Sequence, residues 1–148
     1  MTTLKNQITE VLKAAMRAKE MSKLTVIRGL QAAIKQIEID ERVELDDSRV
    51  LAVIEKQIKQ RKESIKAFEG ANRQDLASKE QAEVEIISQF LPAAMTEEEL
   101  DSIIAQTISA QEATSMKDMG KVMNSLRPLI AGRADPAQVS AKIKAKLA

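Results

Sequence analysis

The chain of 148 residues contains no cysteine, histidine, tryptophan or tyrosine, and its two aromatic residues are Phe68 and Phe90. Without cysteine and histidine it cannot form disulfides, Cys/His zinc sites or a catalytic triad built on a thiol or an imidazole. The lack of aromatic residues argues against RNA-binding modules that stack bases on aromatic side chains. Glycine and proline are also scarce, with four and three residues, and this scarcity favours helices.

A long apolar segment is missing as well. No run of about 18 apolar residues exists, so we predict no transmembrane helix, and the N-terminus, Met1–Gln7, lacks the apolar core of a signal peptide. We therefore expect a soluble, cytoplasmic protein with no membrane partner. The net charge of +1 excludes a protein that is basic over its whole surface, and a hydrophobic content of 44% is enough for a folded core.

Apolar residues recur at helical spacing along the chain, and no segment shows the alternation of a β-strand. The first two stripes predict helices over residues 3–18 and 20–40. A third helix begins with Asp46 or Asp47 as its cap, and a fourth must end before Pro92. The sequence therefore predicts an all-α protein.

The chain beyond the fourth helix carries three helix-start signals. These are a capping box at Thr96–Glu99, a weaker box at Ser115–Asp118, and a proline at the first helical position in Asp135–Pro136. Each signal precedes an apolar stripe. We therefore predict a four-helix N-terminal domain over residues 1–92 and a small three-helix C-terminal domain over residues 95–148.

Charge is segregated along the chain although the total is close to zero. Residues 49–66 have a net charge of +4, residues 96–112 carry five negative and no positive side chains, and residues 113–148 have a net charge of +5. The last segment can present a positive face to a nucleic acid, and an ordinary solvated surface is the alternative. Lys117 and Lys121 share a helix face at i, i+4. The candidate RNA-binding residues are Lys117, Lys121, Arg133, Lys142 and Lys144.

Two glycines mark the same segment. Gly120 lies inside the predicted sixth helix, where glycine costs about 1 kcal/mol relative to alanine, so either close helix packing or the approach of a phosphate or partner to the backbone should compensate. Gly132 follows an apolar run and is typical of a left-handed residue after a helix end. Arg133 would then lie at a tight joint, where it either binds a phosphate of the same ligand as Lys117 and Lys121 or caps the sixth helix.

The sequence offers no complete catalytic or cofactor-binding motif, and the glycine motifs that bind dinucleotides or nucleotide phosphates are missing. Glu80, Glu83 and Glu85 cluster on the fourth helix, but a di-metal carboxylate site would need histidine partners. We interpret these glutamates as ion-paired or solvated. Ser64 and Ser115 have lysine neighbours, and we interpret both as capping or surface residues rather than nucleophiles. We therefore predict no catalytic residue, no metal site and no cofactor.

Four stretches together resemble the GatB/YqeY family: Leu24–Lys35; Arg61–Phe68 followed by Arg73–Leu76; Lys79–Glu83 leading to Phe90–Pro92; and Ser115–Met123 with Gly132–Asp135. The order and spacing of these stretches carry the resemblance, which covers nearly the whole chain. It implies a two-domain helical fold. The same module is similar to the tail of the B subunit of the glutamine-dependent aspartyl/glutamyl-tRNA amidotransferase.

The resemblance implies contact with tRNA without supplying catalytic parts. In the amidotransferase, the centre that uses ATP and receives ammonia lies in a domain that this chain lacks, and the glutaminase nucleophile lies in another subunit. The family label, a carbon–nitrogen ligase with glutamine as amido donor, therefore leaves enzymatic activity open. We expect a non-catalytic module that binds tRNA or another structured RNA. The alternative is an accessory subunit that joins an amidotransferase or another translation-related assembly through protein contacts.

Overall fold

A computed structural model describes residues 3–148, and the prediction of an all-α fold is confirmed. Within that range the chain forms seven α-helices and one 3₁₀ turn, with no strand. The helices are α1 (Leu4–Arg17), α2 (Met21–Glu41), α3 (Asp47–Gly70), α4 (Gln74–Ser88), α5 (Glu97–Ala110), α6 (Met119–Ile130) and α7 (Pro136–Leu147), and the 3₁₀ turn, Met116–Asp118, precedes α6.

The chain divides into two compact units, which we call the N-terminal unit, Met1–Leu91, and the C-terminal unit, Pro92–Ala148. The N-terminal unit contains α1 to α4, and the C-terminal unit contains α5 to α7. Each unit has an apolar core of its own.

The core of the N-terminal unit combines one side of each of its four helices. Its fully buried members include Ile8, Ile27, Leu30, Ile54 and Ile87. The pair of α3 and α4 shares the most extensive contact in this unit. Burial of several large aliphatic side chains, each stabilising by about 1.5–3 kcal/mol, holds the four helices together.

Polar caps fix where the helices of this unit begin. Asp46 caps α3, since its carboxylate accepts a hydrogen bond of 2.9 Å from the N–H of Arg49. Asp47 has a different role, because its carboxylate accepts the N–H of Leu4 at the start of α1, at 2.9 Å. Of the two aspartates that the sequence offered as the cap, Asp46 is therefore the one used.

The acidic side chains of α4 confirm the interpretation of ion-paired glutamates for two members of the cluster. The guanidinium of Arg61 on α3 contacts the carboxylate of Glu83 and lies 3.4 Å from that of Glu80. These contacts join α3 to α4 at positions that are only partly exposed. The two carboxylates therefore stabilise a helix pair.

The C-terminal unit packs α5, α6 and α7 around a second aliphatic core, whose fully buried members include Ile104, Val122 and Ile143. The predicted start of α5 is confirmed, since the hydroxyl of Thr96 accepts the N–H of Glu99 at 3.1 Å. At α7 the carboxylate of Asp135 accepts the N–H of Ala137 at 3.0 Å. Local capping signals thus set the start of both helices.

The start of the sixth helix differs from the simple prediction. A 3₁₀ turn, Met116–Asp118, comes first, and the α-helix begins at Met119. The carboxylate of Asp118 accepts the N–H groups of Thr114 and Ser115, at 3.0 and 3.3 Å. The box at Ser115 and Asp118 therefore opens the 3₁₀ turn.

Candidate nucleic-acid interface

The solvent side of α6 is basic and carries no acidic side chain. The opposite side of the helix, with Val122, Leu126 and Ile130, is buried at i, i+4 spacing. We define the α6 face as the exposed polar residues of the preceding 3₁₀ turn and of this solvent side, together with the exposed glycine: Lys117, Gly120, Lys121, Asn124 and Arg127.

The cations of the α6 face keep their charge free of ion pairs. The ammonium of Lys121 lies 3.3 Å from the main-chain oxygen of Gln111, and Arg127 donates to the side-chain oxygen of Asn124 at 3.2 Å. In residues 3–148 no carboxylate lies within 4 Å of Lys117, Lys121 or Arg127. Their positive potential is therefore available to an anion from solution.

One carboxylate is close to this face, and it is engaged by the backbone. Hydrogen bonds from the N–H groups of Thr114 and Ser115 lower the pKa of Asp118, and the charge of Lys121 lowers it further. Asp118 thus stays ionised while it holds the 3₁₀ turn. Its carboxylate fixes the backbone from which Lys117 projects.

Gly120 is the second residue of α6 and is exposed. A Cβ atom at this position would meet no heavy atom within 4 Å outside the helix backbone. The interpretation that close helix packing requires this glycine is therefore wrong. The approach of a phosphate or partner to the backbone stays a prediction.

Lys142 does not belong to a free basic surface. Its ammonium lies 2.8 Å from a carboxylate oxygen of Asp101 and 2.7 Å from one of Glu97, both on α5. These hydrogen bonds, that of Asp101 first, raise the pKa of Lys142. Because two carboxylates compensate the charge of Lys142 in this structure, we leave Lys142 out of the basic surface, and its contact with RNA stays a prediction.

Arg133 links the connection between α6 and α7 to the chain before α5 by hydrogen bonds. Its Nε donates to the main-chain oxygen of Ala93 at 2.9 Å, and its Nη2 lies 3.5 Å from the carboxylate of Glu99. Its own carbonyl accepts the N–H of Met95 at 2.9 Å. The side chain is 37% exposed, so the guanidinium serves contacts inside the C-terminal unit.

The backbone of the joint follows the sequence prediction. Gly132 has a φ of 72°, which confirms a left-handed residue after the helix. The main-chain N–H of Arg133 donates to the carbonyl of Ile130 at 2.8 Å. Arg133 therefore caps α6 through its backbone.

The distance along α6 separates Arg133 from the lysines at the other end. The helix has 12 residues and spans about 18 Å. Lys117 and Lys121 lie at its start, whereas Arg133 lies beyond its end. Arg133 and these lysines therefore cannot bind one and the same phosphate, and their approach to one extended RNA stays a prediction.

Lys144 remains compatible with the α6 face. Helix α7 packs against both α5 and α6. Lys144 follows Lys142 by two residues, or about 200° around a helix, and therefore leaves the side of α7 that faces α5. It is exposed, and within the described residues it forms no ion pair.

Arg127 was missing from the residues selected by sequence. Its spacing of three residues from Asn124, which itself follows Lys121 by three, places all three side chains on one helix face. That regular spacing was readable in the sequence. Selection by charge alone favoured Lys142, whose partners on α5 are distant in sequence.

Two open grooves of the N-terminal unit contain no catalytic arrangement. The groove between α1 and α2, of about 340 Å³, is lined by Lys5 and Glu38, which pair at 2.7 Å. The groove between α3 and α4, of about 250 Å³, contains Ser78, whose hydroxyl oxygen accepts a hydrogen bond from the amide of Gln74. Over residues 3–148 no cluster of acidic side chains is arranged to hold a metal ion, and no helix is long and apolar enough to cross a membrane.

Nearly the whole chain matches a known family. The model of the YqeY-like protein family covers residues 5–147. This chain belongs to the YqeY-like family. The family resemblance seen in the sequence is thereby confirmed.

Relatives in fungi carry the name altered inheritance of mitochondria protein 41, mitochondrial. The protein of Pyrenophora tritici-repentis is 35% identical over 136 residues, which cover 90% of this chain and 75% of the relative. That of Lachancea thermotolerans is 34% identical over 140 residues, with 89% and 74% covered. A Saccharomyces cerevisiae protein is 40% identical over 91 residues, with 61% and 49% covered. These mitochondrial names contradict the expectation of a cytoplasmic protein.

Proposed function

We propose that this YqeY-like protein is a non-catalytic module that binds the phosphate backbone of tRNA or another structured RNA through its C-terminal unit. The observation that carries the proposal is the α6 face: Lys121 and Arg127 on one side of α6, and Lys117 on the 3₁₀ turn before it, have no paired carboxylate among the described residues. The resemblance to the tail of the tRNA-dependent amidotransferase supports the same ligand class.

The chemistry of the face suits phosphate rather than bases. Lysine and arginine bind phosphate oxygens without reading sequence, and the chain has no tryptophan or tyrosine on which to stack a base. Gly120 lies between Lys117 and Lys121 and presents bare backbone to a ligand. Lys144, which is exposed on α7, is a further candidate contact. Recognition would therefore depend on the shape of the RNA.

The test compares wild type with a variant that carries Lys117→Gln, Lys121→Gln and Arg127→Gln. Affinity for a transcribed tRNA is measured by fluorescence anisotropy over a range of salt concentrations. We expect the salt slope to fall by about 0.7–0.9 for each lost phosphate contact, or roughly 2 in total. The variant should bind all RNA sequences more weakly to a similar degree.

A matched control removes three positive charges elsewhere: Lys13→Gln, Lys19→Gln and Lys79→Gln. These lysines are exposed and lie in the N-terminal unit. If both variants lose the same affinity, general charge accounts for binding and the α6 face is not the site. Wild-type protein without salt-dependent RNA binding would refute the proposed function.

A second candidate function is an accessory subunit that contacts another protein. The specific observation in its favour is the solvent side of α2, where Met21 and Ile39 are 66% and 60% exposed. Gly29 and Ala32 lie between them on the same side, so a partner helix could approach closely. Met21→Lys with Ile39→Lys should abolish association with such a partner and leave tRNA binding unchanged, as measured by crosslinking and anisotropy.

A further inference from the structure

The positive side chains of α3 and its start divide into two sets. Arg49 donates to both carboxylate oxygens of Glu41, at 2.8 and 2.7 Å, and Arg61 contacts Glu80 and Glu83. The remaining four are exposed, and no carboxylate of the described chain lies within 4 Å of their ammonium groups. We call these four the α3 lysine row: Lys56, Lys59, Lys62 and Lys66.

The α3 lysine row extends along one side of the helix. Its members follow one another at steps of three, three and four residues, so they occupy roughly a third of the helix circumference and extend about 15 Å along it. The buried side of α3, with Val50, Ile54 and Ile58, faces the opposite direction. Glu63 is the exposed acidic residue between the first and last lysine. The exposed side of this stretch therefore keeps a net charge of +3.

The side chains around the row favour a nucleic-acid duplex over a lipid bilayer or unpaired bases as the ligand. No large apolar side chain of α3 is exposed, so the row has nothing to insert into a lipid bilayer. Phe68 is the aromatic residue of this helix, and it is partly buried, so stacking of unpaired bases is not available. Flexible point charges at regular steps match the regular phosphates of a duplex.

We propose that the α3 lysine row is a second nucleic-acid surface, which binds the phosphate backbone of a duplex segment. The inference deepens the proposed function and rests on it, because it assigns part of the RNA affinity to the N-terminal unit. The two arginines of the same helix form ion pairs within the N-terminal unit. The four lysines of the row are available to bind the ligand. The two units then each contribute one basic surface to RNA binding.

The test uses the full chain and an RNA duplex of about 20 base pairs, titrated by anisotropy at several salt concentrations. The row variant carries Lys56→Gln, Lys59→Gln, Lys62→Gln and Lys66→Gln. A control of equal charge carries Lys13→Gln, Lys19→Gln, Lys35→Gln and Lys79→Gln. Two half variants divide the row: one carries Lys56→Gln with Lys59→Gln, and the other carries Lys62→Gln with Lys66→Gln. Thermal melting of every variant shows whether weaker binding comes from lost contacts or from lost folding.

We expect the row variant to bind at least about tenfold more weakly than the control at about 50 mM salt, with a salt slope lower by roughly 3. Each half variant should lose about half of that slope. If the row variant matches the control while the α6-face variant is weakened, the inference is wrong and the proposed function stands. If the wild type binds tRNA but not the duplex, the inference alone is wrong, and if it binds neither, the proposed function is wrong as well. Wild-type binding to phosphatidylserine vesicles that only the row variant loses, with duplex binding unchanged, would also overturn the inference.

Discussion

The solvent side of α6 and the neighbouring helix α7 show why a basic segment is not automatically a basic surface. Both lie in the segment with a net charge of +5, residues 113–148. Lys142 on α7 faces α5, and Glu97 and Asp101 compensate its charge. Lys121 on α6 has no acidic neighbour within 4 Å in the described part of the chain. Carboxylates of the acidic segment, residues 96–112, thus form ion pairs with Lys142, which faces α5. The positive side chains on α6 form no such pairs.

Two glycines of the same segment, Gly132 and Gly120, differ in their backbone requirements. Replacing Gly132 should have the largest effect on stability among the variants considered. Gly132→Ala should destabilise the C-terminal unit by about 1–2 kcal/mol, because its φ of 72° disfavours any residue with a Cβ. Gly120→Ala should be neutral or stabilising by up to about 1 kcal/mol, since the added methyl group meets nothing within 4 Å. Chemical denaturation of both variants measures the difference.

The same glycine pair tests the RNA site. Gly120→Ala should weaken RNA binding if a phosphate approaches the bare backbone beside Lys121. Gly132→Ala should leave affinity unchanged at temperatures where the unit is folded. Equal affinity of wild type and Gly120→Ala would show that this glycine is not a contact.

Arg133 and Arg127 provide the next contrast, since one arginine serves the fold and the other lies free. Arg133→Ala removes hydrogen bonds to Ala93 and Glu99 and should lower the free energy of unfolding by about 1 kcal/mol. Arg127→Ala should change it by less than about 0.5 kcal/mol and weaken RNA binding. Melting temperature and affinity measured on both variants check the assignment, which a loss of RNA affinity in Arg133→Ala alone would reverse.

Lys142 and Lys144 form a similar pair: we expect the first substitution to affect stability and the second to affect RNA affinity. Both effects should be smaller than those of the two arginines. Lys142→Gln removes two ion pairs of a partly exposed side chain and should cost less than about 1 kcal/mol. Lys144→Gln should leave stability unchanged and reduce RNA affinity. If Lys142→Gln reduces RNA affinity as much as Lys144→Gln does, its ion pairs open on binding and the distinction between the two lysines fails.

Local signals in the sequence predicted most of the helices, because their causes are local. The cap at Thr96, the proline start after Asp135 and the left-handed Gly132 each depend on neighbours within a few residues, and the structure has all three. The partners of Lys142 and Arg133 lie 41 and 40 residues away in the chain. Spacing along one helix could not reveal these partners.

The smallest expected effect is a pH dependence of the contact between α5 and α7. Hydrogen bonds from Lys142 and, to a smaller extent, Gln138 lower the pKa of Glu97. A carboxylate with a lowered pKa in the folded state stabilises the fold at pH values above its ordinary pKa of about 4.5. That stabilisation is lost as the pH falls through the pKa of the folded state. Lys142→Gln should therefore flatten the acid side of a plot of melting temperature against pH, whereas Lys117→Gln, on the free α6 face, should not change its shape. An unchanged acid limb in Lys142→Gln would mean that the ion pair contributes nothing to stability, and the charge of Lys142 would then be as available as that of Lys121.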